Sequence, residues 1–288
     1  QLGWESTPGT PIAATKLLIG NGTFTPQQEI VAEDYARGIR GHVLGDEVKV
    51  WQGAEVEFET TLNAEELLYA LQTGIVEDAA PTGAGPYTWA FPASMAAVPT
   101  LKSLTGEFVF TDGSTDHYKA QVAGMRTRQI VITLAGQEKA TLKFTMFGKA
   151  AVRSFTPATG LTAQTGRTPL ASLGFGAYIN NSWAALGTTQ KTGLVRTATL
   201  TINTGVEPDW TLDRDPNLSF TAYKYEQLSG MLALGLSLNA DAGVEKDAWY
   251  DRTSRFIRLE YDNGLAAAAN RQILLDVAGR YESIGVSR

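Results

Sequence analysis

Few residue types in this 288-residue chain could do chemistry, and their spacing decides what they could do. Cysteine is absent and only two histidines occur, His42 in "IRGHVLG" and His117 in "STDHYKAQ". Neither has a neighbour at metal-ligand or triad spacing, so both read as surface histidines. Asp213, Asp215 and Asn217 in "DRDPNL" alternate like the start of a calcium loop. Leu218 stands where the tight-turn Gly belongs and Lys224 where the bidentate Glu belongs, so the loop lacks both its turn residue and its main ligand. Glu55, Glu57 and Glu59 could be imagined as a hydrolase's carboxylates. Residues two apart on a strand stand side by side, however, and offer no second wall for a substrate.

Nucleotide and acyl chemistry are equally poorly served. No G-x-S-x-G, Walker loop or H-E-x-x-H is present, and "GFGAY" (Gly174 to Tyr178) lacks the third Gly of a dinucleotide fingerprint, so it reads as a strand glycine pair. Trp4, Trp51, Trp89, Trp183, Trp210 and Trp249 are scattered over both halves, which suits core and interface packing better than a sugar platform. Asn21, Asn180 and Asn217 begin N-x-[ST] patterns that matter only in a secretory pathway. The expectation is a protein that is not an enzyme, with no catalytic residues, no metal site and no cofactor.

The elements behind these residues are mostly strands. "EVEFETTL" (Glu55 to Leu62), "GEFVFTDG" (Gly106 to Gly113), "RQIVITLAG" (Arg128 to Gly136), "KATLKFTMFG" (Lys139 to Gly148), "RTATLTIN" (Arg196 to Asn203), "LSFTAY" (Leu218 to Tyr223) and "RFIRLEYDNG" (Arg255 to Gly264) alternate with period 2. In the first of them Val56, Phe58 and Leu62 share one side and the three Glu the other. "NAEELLYALQTG" (Asn63 to Gly74) reads as a helix with an Asn cap, early Glu and a terminal Gly. "YEQLSGMLALGL" (Tyr225 to Leu236) reads as a second, weaker one. Between Val152 and Pro169 the chain is rich in Thr, Gly and Pro without periodicity, which predicts a linker.

An echo organises these elements. "VAGMRTRQIV" at Val122 returns as "VAGRYESIGVSR" at Val277, and in each half a strand, a helix and two further strands follow in the same order, the last of them carrying the echo. The predicted organisation is a first unit over 1–151 with an N-terminal arm, a linker over 152–170 and a second, similar unit over 171–288. The first 40 or so residues, with Pro8, Pro11 and Pro26, read as an arm that orders on meeting another subunit.

Composition limits the partners. The net charge is −6, so no basic surface invites nucleic acid as a whole. The lack of cysteine suits a reducing cytosol, no apolar run approaches the roughly 20 residues that span a bilayer, and "QLGWESTPGT" has neither the basic nor the apolar region of a signal peptide. The expectation is a soluble chain with no membrane partner; whether the start at Gln1 reflects trimming stays open.

"GWESTPGTPIAATK" (Gly3 to Lys16) resembles the opening of the tail tube proteins of long-tailed bacteriophages, where a Trp-Glu-x-x-x-Gly-Thr-Pro type of start precedes an all-β subunit. The remaining composition, acidic, cysteine-free and rich in Thr and Gly, agrees over essentially the full length. The resemblance implies a tail-tube-type antiparallel β-sandwich with a flanking helix, duplicated in tandem. It further implies a virion structural protein, made in the host bacterial cytoplasm, that polymerises as stacked rings, three chains forming six positions, into a tube that conducts DNA. Its partners would be itself, the tape measure protein, and the distal tail and tail terminator proteins, with DNA passing without specific binding. The Glu55, Glu57, Glu59 face would lie on the lumen or on the outer surface. Two other readings stay open: a hexameric ring whose second half is a decoration domain, and a β-sandwich carbohydrate- or receptor-binding module.

Overall fold

The structure, a computed structural model, describes all residues except 33–46, 77–99, 113–115, 227–231, 240–242, 263–271 and 285–288. His42 and Trp89 therefore lie outside the described residues. Thirteen strands and two α-helices are described. In the first half these are β1 (Leu2–Trp4), β2 (Asn21–Ala32), β3 (Glu47–Thr61), α1 (Ala64–Gly74), β4 (Leu104–Thr111), β5 (Asp116–Ala135) and β6 (Thr141–Gly148). The second half holds β7 (Phe175–Asn180), β8 (Val195–Asn203), β9 (Val206–Asp209), β10 (Ala222–Tyr225), β11 (Leu232–Leu238), α2 (Gly243–Tyr250), β12 (Arg255–Asp262) and β13 (Gln272–Gly279).

The long strand β5 joins two sheets. Its first part pairs with β4, which pairs with β1, while its second part lies between β6 and β8. A six-stranded antiparallel surface results, in the order β2, β3, β6, β5, β8, β11. The two layers face each other through aromatic contacts: Phe108 of β4 stacks on Phe24 of β2 and Phe58 of β3, with ring centroids 5.1 and 6.1 Å apart. Alternation drives this packing. Val56, Phe58, Leu142, Phe144, Met146, Ile130, Ile132, Leu200 and Ile202 all bury on one face of the larger sheet. The expected mainly β architecture with a flanking helix is thus observed.

Helix α1 forms as its caps predict. Asn63 is extended and its side chain accepts from the N–H of Glu66. Glu66 is itself fully buried, accepting from Asn63 Nδ2, Thr60 Oγ1 and the Ile19 N–H, and paired with Arg167 Nε at 3.0 Å. Arg167 belongs to the irregular stretch between the two halves, which is laid along the first half by this pair and by Ala158 N–H donating to Glu107.

Two local expectations are corrected. The helix expected over Tyr225 to Leu236 is not what its described ends form, since Ala222–Tyr225 and Leu232–Leu238 are strands. Leu232, Leu234, Leu236 and Leu238 alternate, and that period outweighs the helical preference of Leu and Ala. The second helix lies instead at Gly243–Tyr250, and the strand expected at Leu218 starts only at Ala222. The N-terminal stretch also differs from the expected arm. Leu2 is buried in β1, Ala14 is buried, and Asn21–Ala32 form an edge strand, where Pro26 is tolerated.

The halves share a connectivity. The order β1, β4, β5 recurs as β7, β12, β13, the antiparallel pair β2 and β3 recurs as β8 and β11, and α1 and α2 follow the second strand of each pair. The hairpin β9 and β10 is an addition between β8 and β11 that folds back on the first half. There Tyr223 lies 3.9 Å beneath the Arg126 guanidinium, and burial pushes that guanidinium's pKa down.

Candidate assembly surface

The six-stranded sheet has one apolar face, which is the core, and one polar face, which is where the chain can meet something else. Reading across it, Thr23, Glu57, Thr145, Gln129 and Asn203 stand in one row, and Asn21, Glu59, Lys143, Val131, Thr201 and Ala233 in the next. Hydroxyls and amides dominate, and Gln129 Nε2 donates to Asn203 Oδ1 at 2.8 Å across the junction of β5 and β8.

The three glutamates fall on this face, as their spacing predicts, but they are not a bare row of charge. Glu57 pairs with Lys143 at 2.8 Å, and this contact raises the lysine pKa, first through the hydrogen bond. Arg128 lies 3.5 Å from Glu55 and 2.5 Å from Glu207. Glu55, Glu57, Lys143 and Arg128 are each more than a third exposed, so water screens these contacts strongly. The face is close to neutral, with a small excess of carboxylate.

The remaining sequence candidates do not converge. His117 meets Asp112 at 2.9 Å on an exposed edge. Asp213 accepts from the hydroxyls of Thr211 and Thr221, which lower its pKa, and Asp215 accepts from the N–H groups of Asn217 and Ser219. The two carboxylates are satisfied by their own loop, and no cluster of three or more metal-ligating residues occurs among the described residues. One grouping was invisible in sequence: Trp51 and Trp210, far apart in the chain, come within 5.1 Å and flank a cleft of about 330 Å³ at one end of the polar face. The hairpin β9 and β10 creates this contact, and no periodicity near either Trp signals it.

The opening residues have a structural role. Trp4 stacks on Tyr69 of α1 at 5.2 Å, and burial raises the Tyr69 pKa to about 12. Glu5 accepts from the N–H of Gly9 and of Gly124, and from Ser103 and Thr105 hydroxyls. Gly124, of the first Val-Ala-Gly, has φ of 67° and meets Gly9, so both glycines are required where the opening crosses β5.

The family profile described as phage tail tube protein matches residues 1–282, which covers both halves and every described strand. The chain belongs to the phage tail tube protein family. Comparison with individually characterised proteins gives no significant match. The Trp-Glu opening of this tail tube protein thus serves to lock the first strand onto its own fold. Family membership places the chain in the virion tail as a self-assembling structural component. No helix among the described residues is long and apolar enough to cross a membrane.

Proposed function

We propose that this tail tube protein polymerises as stacked rings of three chains, each chain filling two of six equivalent positions with units at 1–151 and 171–288 joined by the 152–170 segment. The observation that carries this reading is the repeated strand order, β1, β4, β5 and then β7, β12, β13, within a single family match over 1–282. Two copies of one connectivity in one chain halve the number of chains a sixfold ring needs.

The polar face of the six-stranded sheet lines the lumen. Threonines and amides keep that wall wet, paired charges leave no cationic cluster to hold phosphate, and the residual carboxylate repels it. DNA then passes without specific binding during ejection. The tape measure protein occupies the tube beforehand, the distal tail and tail terminator proteins meet its two ends, and synthesis takes place in the host cytoplasm. Averaged microscope images of tubes assembled from the purified chain, with the mass of a single ring, test the count. Three chains per ring are expected, and six chains in a true sixfold ring would overturn the two-unit reading.

A further inference from the structure

In the smaller layer β5 pairs with β4 on one side, and the stretch after β6 meets its other side. Gln121 and Val152 exchange both backbone bonds there, each at 2.9 Å, which makes a single antiparallel rung. Successive residues of an antiparallel strand turn their N–H and C=O groups to opposite sides. Lys119 therefore turns its own the same way as Gln121, away from β4, and Ser154 stands where the next rung would place its partner. No backbone bond joins the two. The chain leaves β5 after one rung and is pinned again only where the Ala158 N–H donates to Glu107 at 2.9 Å. Pro157 favours an extended Thr156 in the arch between these points. Where arch and strand part, Lys119, Arg153, Ser154, Phe155 and Thr156 line a depression of about 600 Å³.

Two cations set its chemistry. Lys119 Nζ lies 5.7 Å from the centre of the Phe155 ring, and the Arg153 guanidinium lies 4.8 Å from that of Tyr118. Neither forms an ion pair among the described residues, whereas Arg128, Lys143, Lys224 and Arg258 each hold a carboxylate. A ring face attracts a cation without cancelling its charge and restricts the long side chain, so both heads stay available to an anion. The carboxylate on the adjacent strand is committed elsewhere. Glu107 is buried and accepts from the N–H groups of Ala14 and Ala158, while Asp112 is held by His117.

We propose that this depression is an oxyanion site that takes a phosphate group. Lys119 and Arg153 supply the charge, and the hydroxyls of Ser154 and Thr156 with the Lys119 N–H supply further donors. A phosphate accepts through several oxygens pointing in different directions, which suits donors arriving from a strand and an arch. A planar carboxylate has two oxygens and would leave part of this set unused. Phe155 excludes water from one wall and so strengthens the contact. The site belongs to the layer remote from the polar face, where the cations are paired, so the two sides of the molecule treat phosphate oppositely. It does not depend on how many chains close a ring.

Calorimetric titration of the purified full chain with inorganic phosphate, linear polyphosphate and polyglutamate tests the assignment. Saturable phosphate binding is expected, weakened at least about tenfold by Lys119→Gln or by Arg153→Gln, lost when both are changed, and reduced as salt rises. The single variants give the answer if the double variant fails to fold. Lys119→Arg with Arg153→Lys keeps both charges and should retain binding. Lys246→Gln with Arg252→Gln removes two exposed cations elsewhere and should leave it unchanged. Polyphosphate that binds more than about tenfold tighter than phosphate identifies a polymer as the source, and equal affinity identifies the free ion; both support the site. Absence of saturable phosphate binding overturns it, as does an equal loss in the Lys246 and Arg252 variant. Polyglutamate binding tighter than polyphosphate overturns it in favour of a carboxylate-bearing protein partner.

Discussion

Glu5 shows how much one side chain organises. Its carboxylate collects two backbone N–H groups and two hydroxyls from three parts of the chain. Glu5→Ala leaves those donors partly buried and unpaired, and is expected to lower stability by about 3 kcal/mol, read as a reduced midpoint in urea unfolding with an unchanged slope. Glu66 and Arg167 make a comparable contact, with the glutamate fully buried. Removing the partner of a buried charge costs about 3 to 5 kcal/mol, so Arg167→Ala should destabilise by that order. Glu66→Gln in the same background should recover part of the loss, because the uncompensated charge is gone.

Among elements, α1 and the β5 junction matter most. Asn63 both caps α1 and donates to Glu66, so Asn63→Ala should exceed the roughly 1 kcal/mol of an ordinary cap; thermal unfolding followed by circular dichroism reads the difference. Phe144 lies at the centre of the larger sheet with no exposed surface, packed on Phe58 at 5.3 Å. Phe144→Ala should cost about 3 to 5 kcal/mol through lost burial and an unfilled cavity, measured by the same urea titration. β5 itself carries two roles in one strand, pairing first with β4 and later with β6 and β8, so it ties both halves to one core.

For the whole molecule, electrostatics and wetting of the polar face decide behaviour. Replacing Glu55, Glu57 and Glu59 together by Lys would place three cations beside Lys143 and Arg128. Tube assembly should persist, since these side chains contribute little to packing, while ejection of DNA from complemented phage should slow or stop. Retention of DNA should weaken as salt rises, because counterions screen phosphate contacts. Unchanged ejection would place this face outside the lumen.

Much of this was readable from residues alone. Period-2 alternation located β3, β4, β5, β6, β8 and β12, and the Asn63 cap located α1, because both signals are local. Tyr225 to Leu236 reads as helix in sequence, since leucine favours helices when isolated and only pairing with β8 makes the alternation of Leu232, Leu234 and Leu236 count. The opening stretch looked like a free arm because proline and glycine preclude regular structure. Glu5 and Leu2 nonetheless bind it to residues some hundred positions away.

By itself the sequence determined the strand class, the echo between halves and the absence of cysteine chemistry, since these follow from local patterning and composition, while its opening at Gly3 to Lys16 carried the resemblance to the family. Tertiary structure alone decided that Glu55 and Glu57 of the glutamate row are charge-paired, that Trp51 meets Trp210, and that β8 and β11 extend the first half's sheet. The physical reason is that cross-strand partners and ladder parity are set by which distant segments bury their apolar faces together, and such pairings leave no trace in the spacing of either segment.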